Sequence, residues 1–273
     1  MFVLQPGSAL KTGCYIRLQD FDRPQWQQPR ALEAIKNPTC GWFYRRDAST
    51  FHQIPGSPIA YWASKGLLNA FSCGVSINSI SDYTGSQNKT GDNGAFLRLS
   101  WEVSHSAVGR GKSWAAYSKG GDFRRWFGNL NWLVSIKEDS LSFYQNNPTS
   151  NLLSERYWFN EGVCYTMLTS GKPGFRLFPS IGAFDMAGPC ICKLGTNLEW
   201  VLGFLNSSIA GSTLGMLNPT LNMQARDIKS LPLLINDSLK ASVNSLVGQC
   251  IELSKLDWNS LETSWDFKRH YLM

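Results

Sequence analysis

The sequence contains no run of about 18 apolar residues, so no part of it reads as a membrane-spanning helix. Its first residues, Met1-Phe2-Val3-Leu4-Gln5-Pro6, carry no basic charge and too short an apolar stretch for an export signal, and a cytoplasmic protein is expected. Histidine is scarce: His52, His105 and His270 stand far from any metal-ligand spacing. The seven cysteines are odd in number and scattered, which argues against a secreted disulfide scaffold. Only Cys190 and Cys192 are close together, and one intervening residue is not a zinc spacing, so no metal site is expected.

The usual signatures of catalysis are missing as well. Gly111-Lys112-Ser113 resembles the end of a phosphate-binding loop, but Ser106 stands where that loop needs a glycine. No Gly-x-Ser-x-Gly elbow occurs, and the carboxylates are too scattered to nominate an acid–base pair. An enzyme that methylates a base amino group needs a glycine-rich cofactor loop and a Pro-Pro-aromatic motif to hold the flipped-out base. The three Asn-Pro sites continue instead as Asn37-Pro38-Thr39, Asn147-Pro148-Thr149 and Asn218-Pro219-Thr220. No catalytic residue is therefore nominated.

What is present is a chain of 273 residues, 43% hydrophobic, long enough to bury a sizeable core in one large or two smaller domains. Its net charge of +6 is compatible with a polyanionic partner but weak as an argument alone. The distribution says more. Arg110, Lys112, Lys119, Arg124 and Arg125 follow one another with only Asp122 opposed, and Trp114 and Trp126 accompany them.

Along the chain, Phe2-Val3-Leu4 and Tyr15-Ile16-Arg17-Leu18 read as short strands, and residues 30–36 as a short helix stopped at Asn37-Pro38. Ser57-Pro58 reads as a helix start, with Ile59, Trp62, Ala63, Leu67, Ala70 and Phe71 at helical spacing and Gly74 placed to end it. A polar loop at 81–94 precedes an alternating strand pattern over Leu97, Leu99, Trp101 and Val103. Short strands follow, among them 132–136 and 163–168. Residues 198–205 read as a helix capped by Asn197, and a long amphipathic helix begins near Asn236-Asp237-Ser238. Its apolar face comprises Leu239, Val243, Leu246, Val247, Cys250, Ile251 and Leu253. The expected class is α+β, a β-rich middle flanked by helices.

Five segments together resemble the C-terminal half of the large adenine-specific DNA methyltransferase of BREX phage-defence systems. They are Ile54-Pro55-Gly56-Ser57-Pro58-Ile59-Ala60-Tyr61-Trp62; Lys89-Thr90-Gly91-Asp92-Asn93 with Phe96-Leu97-Arg98; Tyr117-Ser118-Lys119-Gly120-Gly121-Asp122-Phe123-Arg124-Arg125-Trp126-Phe127-Gly128-Asn129; Leu217-Asn218-Pro219-Thr220-Leu221-Asn222 with Ile228-Lys229-Ser230-Leu231-Pro232; and Glu262-Thr263-Ser264-Trp265-Asp266-Phe267. The third is the most specific. The family is similar in its recognition part to type IIG restriction-modification enzymes and type I specificity subunits, where a recognition domain is followed by a Leu-Pro-Leu junction, here Leu231-Pro232-Leu233, and a long helix.

The resemblance implies three regions: residues 1–56 as the trailing edge of an absent methyltransferase domain, 57–235 as a target-recognition domain, and 236–273 as the start of a helical spacer. The family's cofactor loop and Asn-Pro-Pro-Tyr motif would lie before Met1, and the family continues past Met273. The expectation is thus a piece of that enzyme: a split gene, a remnant or a partial gene. No cofactor is expected in this chain, S-adenosylmethionine belonging to the full-length enzyme. The implied partners are double-stranded DNA and a methyltransferase catalytic half or other defence-system proteins.

In this reading Lys119, Arg124 and Arg125 contact phosphates or guanine edges, and Gly120-Gly121 lets the backbone approach DNA closely. Lys89, Thr90, Asp92 and Asn93 form a second, groove-entering loop, with Arg98 and Lys112 nearby in sequence as further contacts. The plain alternative for these charged stretches is a solvated basic turn and an ordinary strand connection. Trp101, Trp126 and Trp265 are expected in the core, and Asn218-Pro219-Thr220 in a structural turn. A competing function is a protein-interaction remnant of the defence complex without DNA affinity. A carbohydrate-binding β module is suggested only by the eleven tryptophans.

Overall fold

The structure is a computed structural model that describes residues 12–83, 88–151, 154–169, 171–218, 220 and 222–270. The expected strand at Phe2-Val3-Leu4 lies outside these residues. By packing, the chain divides into two compact units, Met1–Gly74 and Val75–Met273. The regions implied by family resemblance divide the chain by function instead, and the two divisions do not coincide.

In the first unit, β1 (Thr12–Ile16) pairs antiparallel with β2 (Phe43–Asp47), Thr12 opposite Asp47 and Ile16 opposite Phe43. Helix α1 (Pro24–Lys36) begins six residues earlier than its apolar pattern suggests, because Pro24 presets the helical φ of the first turn. Helix α2 covers Lys65–Cys73, not the stretch from Ser57. Gly56 and Ser57 have φ of +80° and +48°, whereas an N-cap needs extended backbone. Ser64 supplies that geometry, and its hydroxyl accepts from Leu67 N at 3.1 Å. Gly74 ends the helix as expected. Tyr15 and Tyr61 stack at 4.8 Å, and Arg46 donates to the carbonyls of Tyr61 and Ala63, fixing the segment that precedes α2.

The second unit is built on two four-stranded sheets. Its elements run β3 (Val75–Ser76), β4 (Asp82–Tyr83), α3 (Asn93–Phe96), β5 (Leu97–Leu99), β6 (Trp114–Ser118), β7 (Trp132–Ser135) and α4 (Glu138–Asn146). There follow β8 (Gly162–Tyr165), β9 (Phe175–Phe178), β10 (Gly182–Phe184), β11 (Cys190–Cys192), α5 (Leu198–Leu205), α6 (Ser208–Leu217), α7 (Ala225–Lys229), β12 (Pro232–Leu233) and α8 (Asp237–Asn259). One sheet has the order β10-β6-β7-β5, parallel only between β10 and β6. The other is the antiparallel β4-β11-β8-β9, and β12 pairs with β3.

Residues in a strand alternate between faces, and here the two faces bury into different cores. From β8, β9 and β11, Val163, Tyr165, Phe175 and Ile191 enter a core shared with Val201, Leu202 and Leu205 of α5 and Val247 and Ile251 of α8. Their neighbours Cys164, Phe178, Cys190 and Cys192 turn the other way and meet Phe184 of β10. The second sheet is thus covered on both sides. Burial pushes the Cys190 thiol well above its ordinary pKa, with its Cys192 hydrogen bond adding to the effect, so this buried group is a small apolar residue rather than a nucleophile. A third core packs β5, β6 and β7 on Tyr144 of α4 and Trp158.

The strand expected across 97–103 ends at Leu99. The Glu102 carboxylate accepts from Leu99 N at 2.6 Å and pulls Ser100–Glu102 into a 3₁₀ turn, which leaves Trp101 half-exposed rather than in the core. Trp126 does pack on the main core, and Trp265 is partly buried beside His105, whose ring lies 4.5 Å away. Helix α5 has its expected span, but Asn197 does not cap it with its side chain; its Oδ1 accepts from Lys240 Nζ of α8 at 2.8 Å. Helix α8 starts as expected, with Asn236 Oδ1 accepting from Ser238 N. Only part of its apolar face is covered: Val247 and Ile251 are buried, while Leu239, Leu246 and Leu253 are exposed. Among the described residues no single helix is long and apolar enough to cross a membrane.

Two glycines give opposite expectations. A Cβ on Gly182 would lie 1.7 Å from the Ala116 carbonyl oxygen across the parallel β10–β6 pair. Gly182→Ala is expected to cost about 3 kcal/mol or more. Gly248 lies in the interior of α8 with nothing within 4 Å of an added Cβ, and Gly248→Ala is expected to add about 1 kcal/mol. Urea denaturation of both variants checks the pair; equal midpoints would contradict the close β10–β6 approach.

Candidate nucleic-acid interface

The loop that joins β6 to β7 holds the densest basic sequence in a fixed backbone. Trp126 N donates to Phe175 O and Leu177 N donates to Trp126 O, both at 2.8 Å, so the loop docks on β9 like a short extra strand. Trp126 itself sits at φ +69°, which a bulky side chain rarely adopts and which the flanking bonds must enforce. Asn129 Nδ2 donates to Asp122 O at 2.8 Å and closes the loop internally. Underneath lies Arg176 of β9, only 1% exposed. Its Nη1 reaches the carbonyls of Arg124 and Gly174 at 3.4 and 3.5 Å, and Nη2 reaches Thr166 Oγ1 at 3.3 Å. Thr166 Oγ1 in turn donates to Gly121 O at 3.0 Å. Among the described residues Arg176 has no ion-pair partner and its Nε no hydrogen-bond partner. A positive charge is therefore fixed beneath the loop with no described carboxylate paired to it.

The nominated cations fall into two groups. Lys119 pairs with Asp185 at 3.2 Å, both largely withdrawn from solvent, and Asp185 also accepts from Ala187 N. Arg124 pairs with Asp257 of α8 at 2.8 Å and lies over the Trp258 ring at 4.8 Å. Arg98 donates to the Gly94 and Leu97 carbonyls beside it. These three hold the fold. Arg125 has no ion-pair partner among the described residues; it lies 5.5 Å over the Phe123 ring, with Nε buried and without a hydrogen-bond partner among them. Lys112 and Lys89 are exposed.

Of the nominated glycines, Gly120 is buried, and a Cβ there would lie 2.8 Å from Ala187 O, so it serves internal packing. Gly121, at φ +110°, is exposed. In the second loop, Thr90 is buried and donates to Asn93 Oδ1, while Asp92 caps α3 by accepting from Ala95 N at 3.0 Å. Lys89 joins Asn151 through two backbone bonds. Residues 84–87 of the expected polar loop lie outside the described residues.

Composition gave no reason to single out Arg176, Phe123, Leu168 or Lys172. A cleft of about 490 Å³ opens between Gly121, Asp122 and Phe123 on one side and Leu168, Gly171 and Lys172 on the other. Lys172 has no ion-pair partner among the described residues.

The three Asn-Pro-Thr sites share one geometry. Asn37, Asn147 and Asn218 each accept, through Oδ1, from both the backbone N and the Oγ1 of the threonine two residues on. Asn218 also donates to Asn222 O and Asp227 Oδ2, so its amide is fully engaged in the turn. All three sites are therefore structural turns, as expected for Asn218-Pro219-Thr220. Among the described residues no group of three or more His, Cys, Asp or Glu is placed to hold a metal ion.

No protein-family profile matches the chain. It is similar to the adenine-specific methyltransferase PglX of Lacticaseibacillus casei (strain Zhang), 34% identical over 279 residues that cover 96% of this chain and 23% of that protein. It is also similar to the adenine-specific methyltransferase BrxX of Escherichia coli O9:H4 (strain HS), 32% identical over 234 residues, 82% of this chain and 18% of that protein. The chain thus spans about a fifth of the length of the curated relatives it matches.

The loop is tied to α8 by packing more than by charge. Asp257 is 67% exposed, so Asp257→Asn is expected to cost less than about 1 kcal/mol. Trp258 is 5% exposed, with Gly128 and Arg124 against its ring, and Trp258→Ala is expected to cost about 3–5 kcal/mol. Chemical denaturation of the two variants measures the difference; comparable losses would place the attachment in the ion pair instead.

Proposed function

We propose that this chain, similar over 96% and 82% of its length to segments of the PglX and BrxX adenine-specific methyltransferases, is a module that recognises duplex DNA for such an enzyme in phage defence. Methyl transfer is left to a part that binds S-adenosylmethionine. The observation that carries the reading is the unbalanced positive charge around one fixed loop. Among the described residues Arg125, Lys172 and the buried Arg176 have no carboxylate partner, while Lys119 and Arg124 brace the loop through theirs.

Each feature suits a polyanion. Phosphates are neutralised by lysine and arginine, and arginine pairs with the O6 and N7 of guanine. A loop already locked in place loses little conformational entropy when it meets DNA, so more of the contact energy appears as affinity. The exposed Lys112 and Lys89 supply further positive charge on the same unit. A protein-docking module without DNA affinity is the second reading, favoured by the leucines left exposed on α8 at seven-residue spacing, Leu239, Leu246 and Leu253.

The two readings separate in a salt titration of the purified chain against a mixed-sequence duplex. DNA recognition predicts affinity that falls linearly with salt on a log–log scale, and a slope reduced in magnitude by about 2 in Arg125→Ala/Lys172→Ala. A folded chain with no salt-dependent affinity sinks the DNA reading and leaves the docking one.

A further inference from the structure

The cleft between the two loops carries apolar groups where a purely electrostatic contact would carry none. Phe123 is 59% exposed and Leu168 68% exposed, and both line the cleft together with Gly121 and Gly171. Neither is free to collapse inward. The Phe123 backbone is held between Gly121 O, which accepts from Thr166, and Arg124 O, which receives Arg176. Leu168 is tied through its backbone to Asn222. Two large apolar side chains are thus kept largely in water by the framework, which is unfavourable for each relative to burial.

The surroundings limit what the pair can meet. The Arg125 guanidinium lies over the Phe123 ring, Lys172 lines the cleft and Arg176 lies beneath the loop, and among the described lining residues Asp122 is the one acid. An apolar patch set in positive charge fits a ligand that is anionic outside and apolar inside. Duplex DNA has that character: its phosphates are outermost, and the faces of its bases become available when a step unstacks.

We propose that Phe123 and Leu168 form a wedge that enters between stacked bases while Arg125 and Lys172 hold the flanking phosphates. The inference rests on the DNA reading above and goes beyond it by assigning the non-ionic part of the contact. The wedge favours easily unstacked steps, so it reads deformability rather than base edges. Arg176 supports the loop from below, reaching the Arg124 carbonyl directly and Gly121 through the Thr166 hydroxyl.

The test is a salt titration of the full chain and of Phe123→Ala/Leu168→Ala on a mixed-sequence duplex, with thermal melting to confirm the fold. Both side chains are mostly exposed, so the variant is expected to melt as the parent does. The wedge predicts a loss of about tenfold in affinity at every salt concentration, with the slope unchanged, because stacking releases no counterions. An affinity within about twofold of the parent overturns the wedge and leaves the DNA reading standing, as expected if the patch docks a protein instead. A changed slope overturns it too, since the loss would then be of phosphate contacts. No binding by the parent chain overturns both.

Discussion

Arg176 is the residue around which the candidate surface is organised. A guanidinium that is 1% exposed and has no acid partner among the described residues costs several kcal/mol to place in a protein interior. The carbonyls of Arg124 and Gly174 and the Thr166 hydroxyl offset part of that cost at long hydrogen-bond distances. In doing so they fix the path of the loop above. On the DNA reading proposed above, a polyanion bound at this loop would offset more of that cost and so stabilise the folded chain.

The scaffold around this residue explains why the loop can be held so firmly. Strands β8, β9 and β11 bury both faces, one against α5 and α8 and the other against β10. Arg176 stands opposite Cys164 in the β8–β9 pair, next to the all-apolar Phe178–Phe184 contact. From the other direction, Trp258 of α8 packs under Gly128 while Arg124 lies over its ring. The loop is therefore pinned at β9 and at α8 together. Helix α8 acts as a brace for the surface as well as a core helix.

Much of this architecture was legible where a local rule decides it. The α8 start followed from Asn236, the α1 stop from Asn37-Pro38, and the α2 stop from Gly74, each a backbone effect confined to a few residues. Ser57-Pro58 misled because two cap-competent serines precede the same apolar pattern. Only the left-handed Gly56-Ser57 turn, a tertiary consequence, decides for Ser64. The alternating 97–103 stretch misled because Glu102 turns back on Leu99. At the site, sequence located the basic loop but not which cations are free. Lys119 and Arg124 find acids 66 and 133 positions away, and Arg176 reads as an ordinary surface residue until β9 is placed. Charge in sequence counts cations; only the fold shows which are already partnered.

The central claim is that DNA meets this chain at the two loops around Arg176. Hydrogen–deuterium exchange of the full chain with and without a mixed-sequence duplex tests it most directly. The account predicts added protection in the peptides that carry Phe123 and Leu168, with α1 and the exposed face of α8 unchanged. Protection concentrated on Lys89 to Asn93, or on α8, with those two peptides unaffected, would contradict it.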